Sequence, residues 1–212
     1  MKDYIESLNW RYSAKKYDTA RKVSPDDLET LKEAVKLSVS SVGLQPYKIL
    51  VVETPDLKAK LAAAASGNNQ NIFRDASHLF IFANELNVGS SQVDAFITNI
   101  SKVRGVAKEE VSGFGQYING FLGTLTEEQK NIWTAKQAYI ALSTLINTAA
   151  LLKIDATPME GFDAGMINEL LGLESQGLNA AVIAAIGYRH QDDAQQHFKK
   201  VRKQDEELFI TL

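Results

Sequence analysis

Arg11, Ser13 and Lys15 stand at alternate positions of one short segment, Arg11-Tyr12-Ser13-Ala14-Lys15. In an extended chain side chains alternate faces and each residue rises ~3.3 Å, so these three point to one side, roughly 6 to 7 Å apart. Arginine offers a planar fork of donors, lysine a point charge and serine a small neutral donor. That set suits a ligand carrying a phosphate and a second electron-rich group. Taken alone, the segment reads equally as a solvated basic loop. A second cation pair at the same spacing, Lys200-Val201-Arg202, lies near the other end and reads alone as a basic tail.

Other polar groups lie between these two pairs. Ser40 and Ser41 open the turn that runs to Gln45-Pro46. Asn68-Asn69-Gln70-Asn71 is a run of amides able to donate and accept along one planar edge. Gln137 is a polar residue inside an otherwise apolar helix. Pro158-Met159-Glu160-Gly161-Phe162-Asp163 combines an apolar lid, a carboxylate and a glycine that lets backbone approach a ligand. Each has a plain alternative as a turn, a solvated loop or a helix cap.

Composition narrows the chemistry. The 212 residues predict one domain, 1–212, and 45% hydrophobic content predicts a sizeable core. A net charge of -3, with no long Lys/Arg block, argues against a nucleic-acid partner. The absence of cysteine removes disulfides, thiolate nucleophiles and Cys-ligated clusters. His78, His190 and His197 lack metal-ligand spacing with carboxylates, so no metal site is expected, and His78 reads as a packed or capping residue. Gly113-Phe114-Gly115 has Ile118 where a third glycine would complete a dinucleotide fingerprint. No phosphate-binding P-loop and no nucleophile elbow occur. The N-terminal residues lack the apolar core of a signal peptide, and residues 180–187, the most apolar run, are too short to span a bilayer. A cytoplasmic protein with no membrane partner is expected.

These groups need elements to hold them. Ser24-Pro25-Asp26-Asp27 starts a helix expected to end near Ser38. Residues 48–53 read as a buried strand. Thr54-Pro55 starts a helix running to the alanines at 62–65, stopped by Gly67-Asn68-Asn69. A second strand is expected over 78–83, with helices near 92–103 and 108–122. Thr126 and Gln129 form a capping box ahead of a long helix to about Leu152, apolar over much of its circumference. Asp163 caps a short helix to Leu171, 179–188 is a third strand, and 208–212 is a candidate fourth. Helices dominate without a regular βαβ rhythm, which predicts an α+β domain.

In order along the chain, these segments resemble the FMN-dependent nitroreductase family. The matching motifs are R-[YHR]-S-x-[KR] at 11–15, S-x-S-S-x-x-x-Q-P-[WYH] at 38–47, an amide-rich loop before D-A-S at 68–77, K-Q at 136–137, P-[MI]-E-G-F-D at 158–163 and K-x-R at 200–202. The resemblance spans nearly the whole chain, and the six motifs in sequence carry it. It implies a nitroreductase-like fold with a central mixed sheet flanked by helices, and a C-terminal arm exchanged in a homodimer. FMN would be the cofactor, NAD(P)H the electron donor and a small molecule the acceptor. Arg11, Ser13, Lys200 and Arg202 would hold the phosphate, and Tyr12 would lie beside the ribityl chain. Lys15 would approach the N1–O2 edge of the flavin. Ser40 and Ser41 would come from the other subunit, and Gln137 would also bind the cofactor. Asn69, Gln70 and Asn71 would read the N3–O4 edge. Pro158 and Met159 would cover one ring face, and the backbone of Glu160 and Gly161 would reach N5 and O4.

The resemblance implies reduction of nitroaromatics, quinones or flavins by two-electron, ping-pong turnover, with no catalytic side chain of its own; Lys15, Glu160 and Gly161 would tune the flavin. Two other readings stay open: a non-catalytic FMN-binding or redox-sensing protein on the same fold, and flavin-fragmenting or dehalogenating chemistry. Gly43 stands where many relatives carry Asn, and Tyr47 where Trp is commoner. Phe114, Tyr117 and Phe121 are candidates for the substrate face.

Overall fold

A computed structural model describes residues 2–212. Its elements follow from local sequence. Helix α1 (Lys2–Trp10) leads into the extended basic segment. Helix α2 (Pro25–Lys36) starts where Ser24 Oγ accepts from Asp27 N at 3.1 Å, and it ends two residues before the expected Ser38. Strand β1 (Tyr47–Val52) is followed by α3 (Pro55–Ala62) and α4 (Asn69–Asp75). Strand β2 (His78–Glu85) precedes α5 (Ser90–Arg104), α6 (Lys108–Gly123) and the 25-residue α7 (Glu127–Leu151). Thr126 caps α7 reciprocally with Gln129. Strand β3 (Asp155–Met159), helix α8 (Ala164–Leu171), strand β4 (Leu178–Gly187) and a final turn of helix, α9 (Asp205–Leu208), complete the order.

The strands form one sheet in the order β1-β2-β4-β3, and every pairing is antiparallel. The mixed sheet expected from the resemblance is therefore absent among the described residues of one chain. The fourth strand is also not where the sequence suggested. Residues 208–212 are exposed and pair with nothing, while Asp155–Met159 supplies the strand. Alternating apolar residues make a strand only beside a partner edge, and this tail has none within its own chain. Pro158 hid β3, yet β3 lies at a sheet edge, where a residue without an N–H is tolerated. The amide run is the other correction: Asn69 to Asn71 open α4 rather than lying in a loop.

The two faces of β2 divide the core. Leu79, Ile81 and Ala83 face α3, α4 and α8, together with Leu61, Phe73 and Ile167. Phe80 and Phe82 face the opposite layer, where Leu31 and Val35 of α2 meet Ala138, Leu142 and Leu145 of α7. A third cluster joins α5 and α6 through Val93, Ile97, Ile118 and Leu122. His78 is buried at the start of β2, with Nδ1 2.9 Å from Ser77 Oγ, which matches its reading as a packed residue.

Candidate functional site

The basic segment leaves α1 and is bridged to the chain after β4. Tyr17 pairs with Arg189, His190 N donates to Lys16 O at 3.0 Å, and Asp18 N donates to Tyr188 O at 2.8 Å. This pairing brings the two ends of the sequence together. Lys200 Nζ donates to the carbonyl of Arg11. Arg11, Lys200 and Arg202 then stand between two cavities. One, of about 750 Å³, runs along α1 and α7 to Pro158, Met159 and Glu160. The other, of about 310 Å³, is lined by residues 9–13, including Ser13, and by Gln195 to Arg202.

Among the described residues the three cations have no carboxylate partner within ion-pair distance. Burial lowers the basicity of Arg11, and Arg202 lowers it further. Lys200 is lowered in the same way, by burial and then by Arg11 and Arg202. Like charges gathered without a counterion define a seat for an anion.

The large cavity has an apolar wall and a polar end. Leu142 and Ile146 of α7 line it with Ile5, Leu8 and Val182. Tyr139 also lines it, and its hydroxyl donates to Glu160 Oε1 at 2.6 Å. Burial, with help from the Glu160 carboxylate, pushes the Tyr139 hydroxyl up to about 12, so it stays protonated at neutral pH.

A second group converges on Gly161. Its carbonyl accepts from Ser66 N at 2.9 Å and Asn69 Nδ2 at 3.1 Å. A methyl group built at Gly161 would lie 2.8 Å from Asn69 Nδ2, so the Asn69 amide would have to swing aside to admit it. Asn68 Nδ2 donates to Lys15 O at 3.2 Å, and Asn71 Nδ2 to Asn68 Oδ1 at 3.3 Å. Lys15, Asn69, Asn71, Glu160 and Gly161 are thus held in one connected region, with the Lys15 side chain exposed and in no ion pair among the described residues. Gln70, half-buried, lies on the same turn of α4.

Lys15, Asn69, Gln70, Asn71 and Gly161 line neither cavity, and three further expected residues lie elsewhere. Gln137 is buried, and its amide is used within the chain: Oε1 accepts from Ser41 N at 2.8 Å and Nε2 donates to Trp133 O at 3.0 Å. Ser40 Oγ accepts from Gln45 N at 2.9 Å. Ser40, Ser41 and Gln137 line neither cavity. The turn they hold is strained: Val42 and Gln45 have φ of 53° and 47°, a region that β-branched residues rarely adopt. Tyr12 lines the smaller cavity, but its polar end is engaged within the chain. Its hydroxyl donates to Asp193 Oδ2 at 3.0 Å, and its ring lies 4.4 Å from the Arg189 guanidinium.

Sequence reasoning missed Tyr139 and Asp193. Tyr139 sits two residues after Gln137 and reads there as part of an apolar helix. Asp193 sits in an ordinary charged stretch that carries no signal of its partners. Among the described residues no group of three His, Cys, Asp or Glu could hold a metal ion, and no helix is long and apolar enough to cross a membrane.

An antiparallel α+β layer with a cation cluster at the joined chain ends defines an α+β fold with a seat for an anion, and comparison with known proteins makes the assignment specific. The Nitroreductase family model matches residues 8–188. The chain belongs to the nitroreductase family. It is 33% identical over 213 residues to the major NAD(P)H-flavin oxidoreductase of Aliivibrio fischeri, with 98% of each chain covered. In fold it is similar to the Bacillus subtilis protein ydfN, with a TM-score of 0.88, 23% identity and all of both chains covered. It is also similar to an Exiguobacterium sibiricum protein solved in complex with FMN, with a TM-score of 0.83, 21% identity, and 99% of this chain and 97% of that one covered.

Proposed function

We propose that this chain, as one domain over 1–212, is an FMN-dependent oxidoreductase. It takes electrons from NAD(P)H and delivers them to a small acceptor such as a nitroaromatic, a quinone or a free flavin. The observation that carries this reading is the cluster of Arg11, Lys200 and Arg202, without a counter-carboxylate among the described residues, lining a cavity of about 750 Å³ with an apolar wall. The donor set fits FMN: cations for a dianionic phosphate and an apolar slot for a ring, reaching Glu160, whose neighbour Gly161 is bonded to the Asn69 amide. The 33% identity to a flavin oxidoreductase points the same way.

Arg11, Ser13, Lys200 and Arg202 would hold the phosphate. Pro158 and Met159 would cover one ring face, while Asn69, Gln70 and Asn71 would meet the polar edge. The backbone of Glu160 and Gly161, held by Ser66 and Asn69, would donate towards the ring. When bound, FMN supplies a two-electron centre that accepts hydride from the nicotinamide and passes electrons on. Lys15 would favour the reduced form by placing a positive charge where negative charge develops. Pro158 and Met159, by covering one ring face, would leave donor and acceptor a single shared face, the arrangement that ping-pong turnover needs.

The homodimer belongs to this reading. Ser40, Ser41 and Gln137 line neither cavity in their own chain, so they would complete the site of a second copy. The exposed apolar tail, with Phe209 65% and Ile210 85% exposed, would be the arm that crosses to it. A cytoplasmic location, where NAD(P)H is supplied, completes the proposal. The purified protein should be yellow, and its flavin should bleach anaerobically with NADH or NADPH and recover with an acceptor. Full flavin occupancy with no bleaching by either nicotinamide would instead leave a flavin-binding protein without this activity.

A further inference from the structure

Three cations that repel one another cannot hold two chain segments together by themselves. Arg11 and Ser13 come from the segment after α1, and Lys200 and Arg202 from the tail after β4. The Tyr17–Arg189 bridge and the Lys200 Nζ bond to the Arg11 carbonyl join the segments, and a further tie can reinforce them without neutralising the seat. Asp193 is placed to do this. It is buried and forms no ion pair with Arg11, Lys200 or Arg202.

Its two oxygens serve different segments. Oδ2 accepts from Lys15 N at 2.6 Å, from Lys16 N at 3.2 Å and from the Tyr12 hydroxyl at 3.0 Å. Oδ1 accepts from Gln195 N at 3.1 Å and so caps the 3-10 turn Ala194–His197, which leads to Lys200. The main-chain oxygen of Asp193 accepts from Gln196 N at 3.2 Å and Gln196 Nε2 at 3.0 Å, tightening the same turn. One carboxylate thus reads the backbone on both sides of the junction, and hydrogen bonds to an ionised acceptor are the strong kind.

We propose that Asp193 is the positioning residue that ties the Arg11–Lys15 segment to the Lys200–Arg202 tail, setting the spacing of the phosphate cations and hence the preference for FMN over unphosphorylated riboflavin. This rests on the FMN reading for its ligand, though not for the tie itself. Asp193 would touch neither substrate nor cofactor; it acts through the two segments it joins.

The test uses Asp193→Asn, which keeps the shape but presents an NH2 group where backbone N–H groups already point. The neighbouring Asp192→Asn, at an exposed carboxylate, is the charge-matched control. Amide hydrogen exchange on flavin-free protein reports the tie, and fluorescence titration with FMN and with riboflavin reports its consequence. In Asp193→Asn, exchange at Lys15, Lys16 and Gln195 should quicken about tenfold, and the FMN dissociation constant should rise about tenfold. Riboflavin affinity should stay within about threefold, and Asp192→Asn should move neither readout by more than about twofold.

Unchanged FMN-over-riboflavin preference in a folded Asp193→Asn overturns the proposal, and so does an equal loss of both flavins. If that variant does not fold, Tyr12→Phe removes one of the donors and should raise the FMN dissociation constant about threefold; no change there also overturns it. If wild-type protein binds neither flavin, the cofactor reading falls, and the exchange arm alone decides whether Asp193 ties the segments.

Discussion

At the scale of single residues, the site divides labour between two kinds of cation. Arg202 faces other cations and no carboxylate, so Arg202→Ala should mainly weaken FMN retention. The loss should shrink as salt rises, because screening removes what the charge contributed. Lys15 is exposed and tied by its backbone, so Lys15→Ala should slow flavin reduction or lower the flavin potential more than it weakens phosphate binding. Stopped-flow reduction and equilibrium titration of both variants separate the two effects. Gly161→Ala should swing the Asn69 amide aside, since its Nδ2 lies 2.8 Å from the added methyl, and break its bond to Gly161 O, costing about 0.5–1.5 kcal/mol, read as a modest loss of flavin affinity with an unchanged fold. Asp193 carries a pH dependence. Burial raises its carboxyl, but the N–H bonds from Lys15, Gln195 and Lys16 and the Tyr12 hydroxyl outweigh that, leaving it below its ordinary value of 3.8. A carboxyl lowered by folding stabilises above its unfolded value and ceases to as pH falls through the folded one. Tyr12, Lys15, Lys16 and Gln195 face it, and Arg189, paired with Asp155, lies on the Tyr12 ring. The stability gap between wild type and Asp193→Asn should therefore be constant above about pH 5 and close in acid, measured by urea unfolding across pH. Of these residues, Arg11, Lys15, Gly161 and Arg202 were legible because their types and spacing are unusual. Asp193 was not, since its work depends on partners nearly 180 residues away.

Elements were legible where local chemistry decides them. Ser24, Thr126 and Asp163 cap helices through their own neighbours, and each start was read correctly. Strands β1, β2 and β4 announced themselves as short apolar runs, though in β1, an edge strand expected to be buried, the apolar residues are only half-buried apart from Val52. Errors came where a distant partner decides. The strand at Asp155–Met159 exists because β4 offers an edge to it, and residues 208–212 stay unpaired because nothing in the chain does. Gly187 shows how tightly the end of β4 packs. A methyl there would lie 2.9 Å from Tyr17 Cδ1 and 3.1 Å from Ser77 N. Gly187→Ala should destabilise by about 1–3 kcal/mol in chemical denaturation, since the Ser77 backbone cannot move aside.

On the scale of the whole molecule, α7 presents one side to the large cavity through Tyr139, Leu142 and Ile146, and another to the strained turn through Gln137. A second copy that supplied that turn would bring two complete sites into one assembly. Removing residues 204–212 leaves Arg202 in place and should shift the protein from dimer to monomer in sedimentation velocity. A truncated protein that still sediments as a dimer would assign the contact to α7 instead. The uncompensated charge at Arg11, Lys200 and Arg202 has a practical reach beyond any one ligand. Because a native state that binds an anion gains stability by mass action, the flavin-free protein has no fixed melting temperature, only one for each anion and concentration around it. Sulfate or phosphate in a buffer acts on it as a weak drug, and comparisons between variants hold only when that hidden ligand is held constant.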